Sequence, residues 1–290
     1  MASEWCIGII GGSGLYQIDG LEDAQWIAID TPWGEPSDEI LCGTLGGVKV
    51  RFLPRHGRGH PITPSELNAR ANIDALKRAG CTDIVAISAV GSLREELEPG
   101  RFAIVEQLID RTFHRPSTYF TSGFVAHVSM ADPTCERLSE MCAQALAACE
   151  GRHATGATYL AMEGPQFSTR AESRMYRSWG ADIIGMTGIP EAKLAREAEL
   201  PYALVGMVTD YDCWREGEAV DVAQVVAQMQ ENGALARAMV VKLIENLPKK
   251  RKPSPIDTVL DTAVITAPEE QDPALMAKLD AVCKRLFATT

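Results

Sequence analysis

An α/β domain is the fold the sequence predicts, and three observations carry that expectation. Short apolar runs alternate with amphipathic segments through the first 247 residues, the order produced when strands and helices take turns along a chain. Some runs, Ile84 to Val90 above all, are rich in β-branched residues and stop at glycine, as buried strands do. The helical segments carry end signals: Thr169 with Glu172 three residues on makes a capping box, and Gly80 is a stop.

Taken in order, the first strand is expected over Trp5 to Ile10, running into the turn Gly11-Gly12-Ser13-Gly14. Ala28 to Ile29 and Val48 to Leu53 suggest further strands, with Arg55-His56-Gly57 just past the second. Ser65 to Ala79 reads as a helix, because Leu67, Ala71, Ile73 and Leu76 fall on or near one face. Ile84 to Val90 is then a strand leading into Gly91-Ser92, and Phe102 to Val105 another. Residues 134 to 150 place Leu138, Met141, Cys142, Ala145, Leu146 and Cys149 at helical spacing. A strand over Ala157 to Met162 follows, and the helix opened by Thr169 leaves Phe167 and Ser168 on the loop before it. Ile183 to Met186, a short helix after Pro190, a strand over Tyr202 to Val208 and a long helix within Val220 to Leu247 complete one domain, residues 1 to 248. The prolines of Lys249-Lys250-Arg251-Lys252-Pro253-Ser254-Pro255 end that order. The basic run reads as a solvated helix end with a linker. Residues 249 to 290 form an appendage, packed on the domain or a neighbour, with an amphipathic helix over Pro273 to Phe287.

At 46% hydrophobic and 23% charged, the composition is that of a soluble globular protein. A net charge of −11 argues against nucleic-acid binding, since phosphate backbones demand a cationic face. Any anionic substrate therefore needs a local cationic pocket. No apolar run approaches the roughly 18 residues of a membrane span, and the start lacks a secretory signal, so a cytoplasmic location is expected. The eight cysteines form no C-x-x-C pair and are expected reduced; Cys135, Cys142 and Cys149 read as one helix stripe.

Asp210 and Asp212 are the most telling pair, two residues apart just after a buried apolar run. If the chain is still extended there, both carboxyls point to one side and can converge on one ligand. Like charges resist joint ionisation and burial raises at least one pKa, leaving one acid to donate and one to accept. An adenine edge, acceptor N7 beside a donor amine, fits such a pair. A turn with two solvated acids is the other reading. The glycine turn fails as a dinucleotide fingerprint, because Gln17 stands where the third glycine belongs. It is either a plain tight turn or an oxyanion cradle of backbone N–H groups and the Ser13 hydroxyl. Arg55-His56-Gly57-Arg58-Gly59-His60 supplies a local positive field suited to phosphate, while its glycines and Pro61 disfavour a helical metal site. Ser88-Ala89 is either a core strand end or a hydroxyl and N–H presented at the sheet's carboxyl edge.

Read in order, Gly11-Gly12-Ser13-Gly14, Arg55-His56-Gly57, Glu163-Gly164-Pro165-Gln166-Phe167-Ser168, Gly185-Met186-Thr187 and Thr209-Asp210-Tyr211-Asp212 make the chain resemble the trimeric purine nucleoside phosphorylase family. The match is closest to its methylthioadenosine-using branch and covers roughly residues 5 to 247. The resemblance implies a central mixed, twisted β-sheet flanked by helices, and phosphate held by Ser13, Arg55, His56, Ser88, Ala89 and Thr187. It sets Phe167 and Ser168 against the base, Met186 near the ribose, and Asp210 with Asp212 on the purine edge as the catalytic acids. His127 and Val222 fall where relatives line the pocket for the 5′-substituent, His127 being lent by an adjacent subunit of a homotrimer. Position 185 is glycine here where some relatives carry asparagine, so a polar contact from that position is lost.

Oxopurine-using relatives carry Glu where Ser168 stands and Asn where Asp210 stands; an acid at 210 suits a 6-amino group. The implied reaction is phosphorolysis of 5′-methylthioadenosine to adenine and 5-methylthioribose 1-phosphate, in methionine and purine salvage, with no metal or organic cofactor. Three alternatives stay open: a phosphorylase for 6-oxopurine nucleosides or methylthioinosine, a non-catalytic protein that binds adenine nucleosides, and a Rossmann oxidoreductase.

Overall fold

A computed structural model describes residues 4–12, 14–216 and 220–288; Ser13, expected at the oxyanion turn, lies outside the described residues. One mixed sheet organises them. Its strands are β1 (Cys6–Gly11), β2 (Leu21–Ile27), β3 (Ile40–Leu45), β4 (Val48–Pro54), β5 (Asp83–Ser92), β6 (Phe102–Arg111), β7 (His153–Met162), β8 (Ile183–Gly185) and β9 (Tyr202–Asp210). The order is β2-β3-β4-β1-β5-β8-β7-β6-β9, and a further β5–β9 pairing closes the last five strands into a ring. Strands β4, β1, β5 and β9 run parallel to one another, so their carboxyl ends emerge at one edge. Ligands of open α/β sheets sit at such edges.

Alternation along the strands feeds two cores. Ile7, Ile9, Val85 and Ile87 pack with α2 (Glu136–Ala148) and α5 (Val222–Glu245). Ile10, Ile84, Ala86 and Val90 pack with α1 (Ala69–Arg78) and α4 (Gly188–Glu197). Strands buried on both faces read as unbroken apolar runs, which is why β5 and β9 were legible. The strand expected at Ala28–Ile29 lies instead at Leu21–Ile27, and β3 was not foreseen at all. β2 is a largely exposed edge strand with charged residues, and Gly43 and Thr44 interrupt the apolar run of β3.

Helix α3 (Arg170–Ser178) starts where the capping box places it, with Thr169 and Glu172 bonding reciprocally. The helix expected over Ser65–Ala79 is divided: Pro64–Glu66 is a 3-10 turn, and Asn68 caps α1 by accepting the Ala71 N–H at 3.2 Å. The helix expected over Pro273–Phe287 is divided too, into α6 (Pro273–Lys278) and α7 (Lys284–Phe287). Its stripe nonetheless packs, since Leu279, Val282 and Cys283 join the core of α1 and α4. Arg251 is no part of a solvated helix end: it is buried, with Nε 2.5 Å from Asp83 Oδ2 and Nη2 2.6 Å from Asp257 Oδ1. Asp83 sits buried at the start of β5 and requires a counter-charge. Among the described residues no helix is long and apolar enough to cross a membrane.

Candidate active site

The site is built where β5 meets β8. These strands are antiparallel with Gly91 opposite Ile184, a register that carries Thr187, just past β8, back toward Ser88. Their hydroxyls lie 3.1 Å apart. Thr187 is the N-cap residue of α4, yet its hydroxyl makes no cap bond and faces Ser88 instead. Two hydroxyls that share one bond can still donate to a third acceptor. The phenol of Tyr159 accepts the Thr187 and Gly188 N–H groups at 3.1 and 3.3 Å. A Cβ at residue 185 would overlap that ring, so Gly185 leaves room for a tyrosine hydroxyl rather than a gap. Sequence reasoning saw the glycine and missed the tyrosine.

Arg55 and His56 follow β4, whose end pairs with that of β1; the Arg55 N–H donates to Gly11 O at 2.9 Å. The guanidinium, expected to offer its fork to an anion, is only 2% exposed and closed on Glu191 of α4, with Nε–Oε1 2.6 Å and Nη2–Oε2 3.1 Å. Nη1 donates to Ile87 O at 2.9 Å, and Tyr202 adds a bond to Glu191 at 3.1 Å. A buried arginine needs that partner, because burial of an unpaired charge is costly. The fork is thus engaged rather than free: three of its five N–H groups are committed, and Arg55 braces the end of β4 against the middle of β5 and against α4. His56 donates from Nδ1 to Ile62 O at 2.9 Å and stacks on His60 with centroids 4.2 Å apart. Since a carbonyl only accepts, the proton sits on Nδ1. Burial, reinforced by the Arg55 charge, pushes His56 down to about 4 and keeps it neutral. Arg237 of α5 reaches the glycine turn, donating to Gly14 O at 3.3 Å, a cation the sequence reading had not singled out.

The acid pair lies at the end of β9. Asp210 is its last residue, paired with Gly91, where a Cβ would come within 3.0 Å of Asp210 Oδ1 and 3.5 Å of the Asp212 Cβ. The chain is not extended through both acids. Asp212 adopts φ +52°, and its N–H turns back to donate to Asp210 Oδ1 at 2.7 Å. Convergence therefore comes from a tight turn rather than from strand alternation. Thr209 Oγ1 donates to Asp210 Oδ2 at 2.8 Å, which fixes the carboxyl from its other side. Asp212 is 5% exposed and its Oδ2 is buried with no hydrogen-bond partner. Burial first, and then the Asp210 charge, raise Asp212 from 3.8 to about 6. Ser173 Oγ pulls the other way, although its geometry falls short of a hydrogen bond. The turned loop is anchored by Trp214 Nε1 to Ser92 O at 2.8 Å and Cys213 Sγ to Ser168 O at 3.2 Å.

Phe167 and Met186 share a cleft of about 300 Å³ with His60, Ile62, Thr63 and Pro165. Phe167 is half-exposed there. Ser168 is buried, its hydroxyl donating to Met162 Sδ at 3.5 Å. Ala89 is partly open between buried neighbours. His127 is exposed and Val222, the first residue of α5, is 60% exposed; among the described residues no hydrogen bond, ion pair or ring contact joins either to the other candidates. A larger cleft of about 760 Å³ runs along α2, lined by Glu106, Asp132, Glu136 and Glu140. Its acidic walls repel anions, and none of the candidate residues lines it.

A mixed α/β sheet thus gathers a hydroxyl pair, a neutral histidine and a turned acid pair at one edge, the arrangement of an α/β enzyme with its site at the carboxyl ends of the strands. The chain belongs to the phosphorylase superfamily, whose sequence profile matches residues 6–245. It is 57% identical to the S-methyl-5′-thioadenosine phosphorylase of Cereibacter sphaeroides over 97% of this chain and 98% of that one. The enzyme of the same name from Rhodospirillum rubrum is 52% identical over 97% of both chains. Among solved structures, a methylthioadenosine phosphorylase from an antarctic soil metagenomic library superposes with a TM-score of 0.90 at 45% identity, covering 96% of this chain and 99% of its own. The Schistosoma mansoni methylthioadenosine phosphorylase in complex with adenine gives 0.77 at 38% identity, covering 83% and 91%.

Proposed function

We propose that this protein cleaves 5′-methylthioadenosine with inorganic phosphate, giving adenine and 5-methylthioribose 1-phosphate. The observation that carries the reading is the acid turn at Asp210 and Asp212, set at the same sheet edge as the Ser88–Thr187 hydroxyl pair. Relatives that are up to 57% identical over nearly the whole chain bear the matching name.

In this reading the bond from C1′ to N9 lengthens first, placing positive charge on the sugar and negative charge on the purine. Asp210, whose two oxygens accept from Thr209 Oγ1 and the Asp212 N–H, takes up a proton as the nucleoside binds and donates it to N7, and Asp212, the buried neighbour raised to about 6, orients the exocyclic amine. General acid help of this kind contributes about 3 to 5 kcal/mol. Phe167 stacks on the base and Met186 lies against the ribose. Phosphate, held by the hydroxyls of Ser13, Ser88 and Thr187 and the Ala89 N–H, with the Nε2 of neutral His56 accepting its one O–H, stabilises the cationic sugar and closes the new C1′–O bond. Arg55 acts from behind, through Glu191. No metal or organic cofactor takes part. The working form is a cytoplasmic homotrimer in which His127 and Val222 enclose the methylthio group, His127 from a neighbour.

Liberated adenine, measured with and without phosphate, tests the reading. Release that needs phosphate and exceeds that of hypoxanthine from methylthioinosine or inosine is the expected result. Ligand binding without release would assign a sensor instead, and faster cleavage of the oxopurine nucleosides would overturn the substrate.

A further inference from the structure

One buried guanidinium joins the two halves of the crevice, and neither the sequence motifs nor the proposed chemistry uses it. Arg115 lies in the loop after β6, with its side chain 4% exposed. Nε donates to Glu163 Oε1 at 3.0 Å. Nη1 donates to the carbonyls of Met186 and Ile189, the latter at 3.0 Å, and Nη2 to those of Glu163 and Met162, the latter at 3.4 Å. Five donors thus meet five acceptors, the full capacity of an arginine. The acceptors fall in two segments: residues 162–163, which open the loop carrying Phe167, and residues 186–189, which carry Thr187. Glu163 is fixed in turn by the Phe113 N–H at 2.6 Å.

We propose that Arg115 is a positioning residue that sets the spacing between the base-facing loop and the oxyanion-facing turn, and so aligns nucleoside with phosphate. The inference rests on the phosphorolytic reading. A core role alone would not account for the acceptors, because four of the five are backbone carbonyls flanking two substrate segments and not apolar neighbours. The planar fork matters as much as the charge: lysine offers a point charge with three donors and cannot span both segments. The bond to Met186 O also polarises the peptide whose N–H, that of Thr187, donates to Tyr159.

The test compares Arg115→Met, Arg115→Lys and the remote Arg78→Gln, whose parent pairs with Asp74 and Asp280. Melting curves report the folded fraction, and steady-state phosphorolysis is measured with each substrate varied. Displacing reacting groups by about 1 Å costs about a hundredfold in rate. Loss of that order in kcat/KM is expected for Arg115→Met, with KM rising for both phosphate and methylthioadenosine. Arg115→Lys, the gentler change and the one expected to stay folded, should recover little of the rate, and Arg78→Gln should keep the wild-type values. Unchanged KM for both substrates in folded Arg115→Lys overturns the proposal, whatever happens to kcat. Failure of the wild type to release adenine with phosphate overturns the phosphorolytic reading itself, before any variant is compared.

Discussion

Replacing Asp212 by asparagine should make the protein more stable above neutral pH while slowing phosphorolysis. The native carboxyl is raised from 3.8 to about 6, burial being the main cause. Each unit is worth about 1.36 kcal/mol, so ionised Asp212 costs the fold about 3 kcal/mol. The sign follows from linkage. Because the folded pKa lies above the unfolded one, the acid's contribution is fully present below 3.8 and is lost as pH rises to about 6. Asparagine cannot ionise, so its gain is about 3 kcal/mol at pH 8 and about half that at pH 5. The backbone suits the change: φ is +52°, a region asparagine tolerates. The bond from the residue's N–H to Asp210 Oδ1 does not involve its side chain. With 290 residues, and about 2 cal/mol/K of unfolding entropy per residue, 3 kcal/mol corresponds to about 5 °C. Melting temperatures of both proteins at the two pH values, beside adenine release, provide the assay. No gain in stability, or a gain equal at both pH values, would refute the assignment of Asp212 as a desolvated acid.

Removing Glu191 should unfold the protein more easily than most core changes. Glu191→Ala leaves Arg55 buried without a counter-charge, a loss of about 3 to 5 kcal/mol by urea denaturation, and Arg55→Met with Glu191→Met should recover much of it. Ser88→Ala or Thr187→Ala should raise the KM for phosphate about tenfold, or about 1.4 kcal/mol, and leave that for the nucleoside nearly unchanged. Equal effects on both substrates would place the hydroxyl pair elsewhere in the reaction. Gly185→Ala drives a methyl into Tyr159, an overpacking cost of about 1 to 3 kcal/mol visible in melting curves. Adding Tyr159→Phe should return part of the loss, and no recovery would mean that the collision is not the cause.

What the sequence disclosed was chemistry written within a few residues. The Thr169–Glu172 capping box was legible because both partners lie in one turn, and it bonds as expected. Strands β5 and β9 were legible because burial on both faces removes alternation, whereas exposed β2 offered no apolar run to read. The acid pair is recognisable from its place after β9, but its geometry is not: the sequence leaves an extended chain and a turn both open, and a left-handed residue does the turning. Partnerships across the chain were invisible. Arg55 meets Glu191 136 residues later, Arg115 meets Glu163 48 residues later, and Asp83 meets Arg251 168 residues later. Sequence shows which residues carry charge; only the fold shows which charges cancel.

That cancellation changes how an anion can be held here. An open Arg55 fork would bind phosphate as a salt bridge and draw off the negative charge that has to meet the sugar cation. With the guanidinium closed on Glu191 and His56 held neutral, the donors at the edge include the Ser88–Thr187 hydroxyls and backbone N–H groups, with Arg237 the cation beside the glycine turn. Neutral donors orient an oxyanion while neutralising less of its charge than a cation does. In the proposed reaction that keeps phosphate nucleophilic, at the cost of weaker binding. The closed ion pair then does mechanical work: by bracing β4, β5 and α4 together, it fixes where Thr187 can present its hydroxyl to Ser88. A phosphate affinity that varies little with salt would accord with dipolar capture, and a steep loss with rising ionic strength would restore the open fork.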